Sequence, residues 1–123
     1  HLANRLTSAL YREAVYLISE GVADVADVDA VMSNGPGLRL ALLGPHMNYH
    51  LGGGEGGYRH YLEHLGASQE ERWRTLGQTP LTPQIKEKLI QGIETQNIPI
   101  SELKTRRDNS LIEILKVKQA SKL

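Results

Sequence analysis

Two polar residues stand on helix faces that are otherwise apolar. Asn4 lies at the edge of the apolar face of the first predicted helix, and Arg107 lies between Leu103 and Leu111 on the stripe of the last. A buried amide or guanidinium needs a hydrogen-bonding partner, since an unpaired one costs about 1–3 kcal/mol. Asn4 could therefore bind neighbouring backbone or face a polar pocket. Arg107 could form a structural ion pair or bind an anion.

Histidines occur in two pairs, His46 with His50 and His60 with His64, each with a spacing that puts both imidazoles on one helical face. Zinc could use that spacing. The first pair nevertheless lacks the intervening Glu of a hydrolase motif, and histidines in a glycine-rich region more often have surface or interface roles. We expect no metal site and no catalytic residue among them.

Glycines dominate the segment Gly52–Gly57, but no GxGxxG stands there between a strand and a helix. The segment is therefore not a dinucleotide fingerprint, and no cofactor-binding residue is expected in this chain. We interpret it as a mobile loop whose glycines allow positive φ or a close backbone approach. No serine lies in a nucleophile elbow either.

The overall composition excludes several functional classes. The chain has 123 residues, which fits one domain, and 40% are apolar, with no Phe and one Trp. Fourteen basic residues balance fourteen acidic ones, so a nucleic-acid partner is not expected. No apolar run approaches the roughly 20 residues of a membrane span, and no membrane partner is expected. The absence of cysteine fits a cytoplasmic location.

Helical periodicity without a strand-and-hairpin pattern predicts an all-α single domain of about six to seven helices. The chain opens in helical rhythm without Met or a cap, and we expect a domain separated from a longer protein. The predicted helices are Leu2 to Glu20, ended by Gly21; one capped by Asp24 and ended by Asn34 to Gly37; Leu38 to Leu43, broken at Gly44-Pro45 and resumed to Leu51; Tyr58 to Leu65; Ser68 to Leu76; one started by Thr82-Pro83; and a last one capped by Ser101.

The order of several short motifs resembles the C-terminal domain of 3-hydroxyacyl-CoA dehydrogenases. Residues 2–6, Leu-Ala-Asn-Arg-Leu, begin the likeness, which continues through Glu20-Gly21-Val22-Ala23 and Asp27-Val28-Asp29. Three further motifs are similar to the L-carnitine dehydrogenase branch, to which lambda-crystallin is related. They are Gly44-Pro45 with Tyr49-His50-Leu51, the glycines that follow, and Arg106-Arg107-Asp108. The likeness covers nearly the whole chain.

The resemblance implies a two-domain parent enzyme. An upstream Rossmann domain would bind NAD and carry a His–Glu catalytic pair, and the parent would oxidise a 3-hydroxyl to a 3-ketone. The present chain would be the helical domain, similar in fold to the C-terminal domain of 6-phosphogluconate dehydrogenase. It would complete the substrate pocket, pair as a homodimer through helix 1 and the segment from Leu38 to Leu51, and by itself bind no NAD and be inactive.

The resemblance also implies roles for individual residues. It places the side chain of Asn4 at the active site. The residues after Gly44-Pro45 depart from the acyl-CoA enzymes, which favours a small 3-hydroxy acid such as carnitine over acyl-CoA. A quaternary ammonium binds aromatic faces, each worth about 0.5–2 kcal/mol, and Tyr11, Tyr49 and Tyr58 are candidates. The alternative is a non-enzymatic helical oligomerisation module, as in lambda-crystallin.

Overall fold

The computed structural model describes residues 1–123 as one all-helical domain without strands. This confirms the predicted fold class and helix number. The seven helices are α1 Leu2–Ser19, α2 Val25–Asn34, α3 Pro36–Leu42, α4 Pro45–Gly52, α5 Gly57–Thr75, α6 Pro83–Glu94 and α7 Ile100–Ser121, with a 3-10 turn at Gly54–Gly56 between α4 and α5.

Local signals determine several of these boundaries. Gly21 adopts a φ of +70° after α1, and the next amide, that of Val22, donates to the Leu17 carbonyl at 3.0 Å. This is the left-handed ending predicted for a glycine at that position. Asp24 accepts a hydrogen bond from the backbone N–H of Asp27 at 2.8 Å, which confirms it as the cap of α2.

The start of α6 also follows its prediction. The Thr82 hydroxyl accepts from the Ile85 backbone N–H at 3.2 Å, with Pro83 in the first helical position. The start of α7 does not, because Ser101 lies inside the first turn and the helix begins at Ile100 after Pro99. The extended backbone of Pro99 (ψ 140°) ends the preceding connection, and no side chain caps this helix.

Helix α5 corrects two expectations. The predicted break between Leu65 and Ser68 is absent, and one helix continues through Gly66 to Thr75. A glycine inside a helix costs only about 1 kcal/mol, which is too little to break a helix whose first half packs along α4. The predicted loop at Gly52–Gly57 is likewise replaced by the end of α4, the 3-10 turn and the first residue of α5.

Helix α1 is joined to the middle of the chain through its second half. Val15 and Ile18 are buried, at 4% and 3% exposure. The Lys88 ammonium on α6 donates to the Ile18 carbonyl at 2.8 Å, so it stabilises the open carbonyl end of α1. Helix α6 also packs closely on α2, because a Cβ on Gly92 would lie 2.4 Å from a methyl carbon of Val25.

Much apolar surface remains uncovered. Leu2, Leu6 and Leu10 on the first half of α1 are exposed, and so is every residue of α7 from Ser101 to Val117. None of the helices is long and apolar enough to cross a membrane. The exposed apolar side chains of α7 between residues 103 and 117, called here the α7 stripe, are Leu103, Leu111, Ile112, Ile114, Leu115 and Val117.

Candidate functional site

A groove runs beside the first half of α1. It has a volume of about 670 Å³ and is lined by α1 residues between Asn4 and Val15, with Thr79 and Leu81 on its other side. Asn4 and Tyr11 both line this α1 groove, so the structure brings two of the predicted substrate-binding residues together. The expectation that the Asn4 amide is buried is wrong, because its side chain is exposed and no helix covers that edge of α1.

The far wall of the α1 groove is held by a connection that follows α5. The buried Gly77 donates its backbone N–H to the Glu13 carboxylate at 2.9 Å. A Cβ on Gly77 would lie 1.9 Å from the Tyr16 ring, so only glycine permits this approach. These two contacts fix Thr79 opposite α1.

A second group of side chains lies where α4 packs on α5. The Tyr49 and Tyr61 rings are 4.7 Å apart between centroids, and the Tyr58 and Tyr61 rings are 6.2 Å apart. His46 lies 5.9 Å from the Tyr58 ring, between centroids. Tyr61 is 9% exposed and forms the centre of this Tyr–His cluster, which we define as Tyr49, Tyr58, Tyr61 and His46.

Hydrogen bonds occupy the hydroxyl groups of this cluster. The Gln69 amide donates to the Tyr61 hydroxyl at 2.6 Å and to the Tyr49 hydroxyl at 3.2 Å. His46 Nδ1 and the Tyr58 hydroxyl are hydrogen-bonded at 2.9 Å. The tyrosines of the Tyr–His cluster are therefore held in place from within α4 and α5.

The Tyr–His cluster depends on a close turn between the two helices. A Cβ on Gly53 would lie 1.8 Å from the Gly57 carbonyl oxygen. Gly57 has a φ of +65°, and a Cβ there would lie 2.6 Å from the His50 ring. The Tyr58 backbone N–H donates to His50 Nδ1 at 3.0 Å, which links α4 to the start of α5.

Arg107 and the remaining histidines form no site. The Arg107 side chain is 68% exposed and bonds to its neighbour Asp108 at 2.9 Å, so the expectation of a buried guanidinium is wrong. Nothing packs on that face of α7. The His60 and His64 rings stack at 4.1 Å, and no group of three or more potential ligands could hold a metal ion.

Comparison with known proteins identifies the family of this chain. The family model for the 3-hydroxyacyl-CoA dehydrogenase C-terminal domain matches residues 1–94. The chain belongs to this family. The resemblance inferred from the sequence motifs is thereby confirmed.

Several relatives carry the name L-carnitine dehydrogenase. The protein from Bacillus cereus is 42% identical over 95% of this chain, that from Oceanobacillus iheyensis 40% over 93%, and that from Streptomyces coelicolor 37% over 94%. These alignments cover 36%, 38% and 37% of the respective relatives. The chain therefore spans little more than a third of the length of the relatives it matches.

Within this 3-hydroxyacyl-CoA dehydrogenase C-terminal domain, the four predicted substrate-binding residues fall into two places. Asn4 and Tyr11 line the α1 groove, whereas Tyr49 and Tyr58 belong to the Tyr–His cluster. No ring contact joins Tyr11 to Tyr49 or Tyr58, so the chain does not assemble these three tyrosines into one aromatic cage.

Sequence reasoning missed residues that shape both places. Tyr61 and Gln69 organise the Tyr–His cluster, and the spacing of Tyr58, Tyr61 and Leu65 along one face of α5 was the signal for Tyr61. Arg12 and Thr79 line the α1 groove, although Arg12 stands on the polar face of α1 and gave no signal.

Asn48, one of the residues after Gly44-Pro45 that were expected to depart from the acyl-CoA enzymes, hydrogen-bonds to backbone within the chain. Its amide donates to the Leu43 carbonyl at 2.6 Å and to the Gly44 carbonyl at 3.0 Å. These carbonyls lie at the end of α3, where a helix leaves acceptors open. Asn48 therefore fixes the bend between α3 and α4 and with it the start of the helix that carries Tyr49.

Proposed function

We propose that this chain is the C-terminal domain of an NAD-dependent L-carnitine dehydrogenase. The parent protein would oxidise the 3-hydroxyl of carnitine, or of a similar small 3-hydroxy acid, to the 3-ketone. Residues 1–123 contain no strand–loop–helix that could bind a dinucleotide. We therefore assign NAD and the catalytic His–Glu pair to an upstream Rossmann domain. NAD supplies the hydride acceptor when bound there.

The extent of the similarity carries this proposal. The family match ends at Glu94, the last residue of α6. The alignment with the Bacillus cereus protein covers 95% of the chain and must therefore include much of α7. The likeness to proteins named L-carnitine dehydrogenase thus reaches beyond the part shared with the wider family, which favours carnitine over an acyl-CoA substrate.

In this proposal, Asn4 and Tyr11 contact substrate through the α1 groove. The exposed Asn4 amide has no side-chain hydrogen bond within the chain and is free to orient the reacting oxygen. Tyr11 is 58% exposed and can offer a ring face to a quaternary ammonium. Tyr49 and Tyr58, in the separate Tyr–His cluster, offer ring surface to a ligand, and each hydroxyl already has one hydrogen-bonding partner.

The domain is also proposed to pair as a homodimer. The exposed leucines of α1, those of the Leu38–Leu51 segment and the α7 stripe offer apolar surface that one chain leaves uncovered. A two-fold interface reuses one patch on both subunits. A stable pair should bury about 1,600 Å² or more in total. Sedimentation at micromolar concentration is expected to give a dimer, and a compact monomer at about 100 µM would contradict this assignment.

Turnover by the full-length protein tests the function. We expect NADH to form with L-carnitine, and with 3-hydroxybutyryl-CoA only at a much lower kcat/KM. A higher kcat/KM for the CoA thioester would instead assign an acyl-CoA substrate to the protein. Turnover of neither substrate would favour the lambda-crystallin-like structural module. We place the parent enzyme in the cytoplasm, where NAD is available.

A separate experiment tests whether NAD binding belongs to the upstream domain and not to this chain. Calorimetric titration of the isolated chain with NAD and NADH is expected to show no saturable binding. The chain alone should also catalyse no hydride transfer, because its helices include no strand–loop–helix that could hold the hydride acceptor. Binding tighter than about 100 µM would mean that this domain takes part in holding the cofactor.

A further inference from the structure

The polar face of α1 carries two arginines, Arg5 and Arg12, that form no ion pair within the chain. The chain forms four ion pairs, and neither Arg5 nor Arg12 takes part in any of them. No acidic residue precedes Glu13 in α1, and the Glu13 carboxylate itself is occupied by the Gly77 amide. Arg5 and Arg12 therefore line the α1 groove without an ion-pair partner in the chain.

Arg12 is the better placed of the two arginines. Arg5 and Arg12 both line the α1 groove together with Ser8, but Arg12 also lines an adjoining groove of about 460 Å³. Thr79 lines both grooves as well. Arg12 and Thr79 thus lie where the two grooves meet, one contributed by α1 and the other by the connection after α5.

This meeting point is held by packing. Thr79 is half-buried, and it follows the buried Gly77 that Glu13 and Tyr16 fix against α1. A guanidinium, a hydroxyl from Thr79 and a hydroxyl from Ser8 are therefore presented to one side of the helix by two elements joined through a hydrogen bond. Such a set of donors, with no acceptor charge among them, matches an anion.

We propose that Arg12, with Thr79 and Ser8, binds the carboxylate of the substrate. That this carboxylate belongs to a 3-hydroxy acid rests on the function proposed above. The planar guanidinium fork pairs with a carboxylate through two parallel hydrogen bonds. It also repels a quaternary ammonium, so a substrate that carries both charges is oriented with its acid end at Arg12.

The spacing along α1 agrees with that orientation. Asn4 and Arg12 are separated by about 12 Å along the helix axis, at 1.5 Å per residue. Helical side chains commonly lean toward the helix N-terminus, and an Arg12 side chain in that orientation would shorten this distance. In a 3-hydroxy acid one methylene separates the carboxylate from the hydroxyl-bearing carbon. A carboxylate at Arg12 therefore directs the hydroxyl toward Asn4.

A comparison of charged and neutral substrates tests the site in the full-length protein. The probes are L-carnitine and carnitine amide, whose carboxylate is replaced by an uncharged group. Arg12→Gln is expected to lower kcat/KM for L-carnitine by about 10–100-fold and for carnitine amide by less than about 3-fold. Arg12→Lys keeps the charge without the fork and should fall between the wild type and Arg12→Gln.

Two further variants serve as controls. Lys86→Gln removes one positive charge from the exposed surface of α6, outside both grooves, and should leave both kcat/KM values unchanged. Arg5→Gln should lower kcat/KM for L-carnitine by only about 2–5-fold, through loss of screened long-range attraction. An equal loss for both substrates in Arg12→Gln would overturn the proposal, because it would show that Arg12 supports the domain's structure.

Equilibrium binding keeps this test independent of turnover. Calorimetry on the full-length protein would compare 3-hydroxybutyrate with its neutral amide, in the wild type and in Arg12→Gln. Selective binding of the acid that Arg12→Gln abolishes supports the site, even if L-carnitine proves not to be oxidised and the proposed function fails. Oxidation of L-carnitine with unchanged preference for the acid in Arg12→Gln overturns the site and leaves the proposed function intact.

Discussion

The packing of α4 on α5 differs sharply from the state of the two terminal helices. At the α4–α5 turn, Gly53, Gly57 and Tyr61 are buried, and the side chains around them find hydrogen-bonding partners within the same two helices. The first half of α1 and nearly all of α7 are exposed, with apolar stripes that no part of the chain covers. The middle of the domain is therefore stabilised by its own contacts, while its ends present surface for other molecules. Substitutions in the first region should cost stability, and those in the second should cost binding or assembly.

The largest effect is expected at Gly53. Gly53→Ala would force a methyl carbon to within 1.8 Å of the Gly57 carbonyl oxygen, so α4 and α5 must separate. We expect the free energy of unfolding to fall by about 3 kcal/mol or more, measured by urea denaturation. Gly52→Ala is the matched control, because a Cβ there meets no atom within 4 Å and should change stability by less than about 1 kcal/mol. Equal effects of the two substitutions would mean that the turn is not closely packed.

Asn4 tests the exposed first half of α1, where substitutions should cost binding and not stability. Asn4→Ala should lower kcat/KM of the full-length enzyme by roughly 10–1,000-fold, equivalent to about 1.4–4 kcal/mol, if its amide orients the reacting oxygen. The Tm should hardly change, since the exposed amide has no side-chain partner to lose. Thr7→Ala, one turn further along α1 and outside the groove, should keep normal kinetics. A destabilised Asn4→Ala variant with normal kcat/KM would assign the residue to the scaffold.

A smaller loss of stability is expected at His50, where α4 packs on α5. His50→Ala removes the acceptor of the Tyr58 backbone N–H at the start of α5, and we expect a loss of about 1 kcal/mol in the free energy of unfolding. His60→Ala is the control, because His60 stacks on His64 but forms no hydrogen bond. Thermal unfolding of both variants should rank His50→Ala as the less stable. The reverse order would show that imidazole stacking outweighs this hydrogen bond.

The smallest effect is expected for Arg107. Its guanidinium is exposed and pairs only with the adjacent Asp108, so Arg107→Gln should change the free energy of unfolding by no more than about 0.5 kcal/mol. A buried ion pair, as the sequence pattern suggested, would cost about 3–5 kcal/mol when broken. Denaturation below the concentration at which the chain associates distinguishes these values. A large loss would show that α7 is covered within a single chain.

Sequence reasoning was accurate where a boundary depends on neighbouring residues. Gly21, Asp24 and Thr82 all end or begin helices as predicted, because capping involves atoms within a few residues of each other. The break at Gly44-Pro45 is local in the same way. The break predicted near Gly66 failed because packing of α5 along α4 outweighs the weak preference of one glycine.

Burial was harder to predict than helical faces. Helical periodicity correctly put Asn4 and Arg107 beside apolar residues. Whether such a helix face is buried depends on what packs against it. In this chain nothing covers those parts of α1 and α7. The pairing of Tyr49 with Tyr61 escaped prediction for a related reason, since it requires the tight turn at Gly53 and Gly57 that the sequence presented as a loop.

The exposure of α7 makes this helix a reporter of assembly. A helix with few tertiary contacts opens locally without unfolding the rest of the domain. In the lone chain, amide hydrogens between Ser101 and Val117 should therefore exchange with deuterium quickly, and the lysines and arginines of that segment should be open to trypsin. An assembly that covers the α7 stripe would slow both processes. Deuterium uptake by α7 thus reads out how much of the protein is assembled, without a label or a cross-linker.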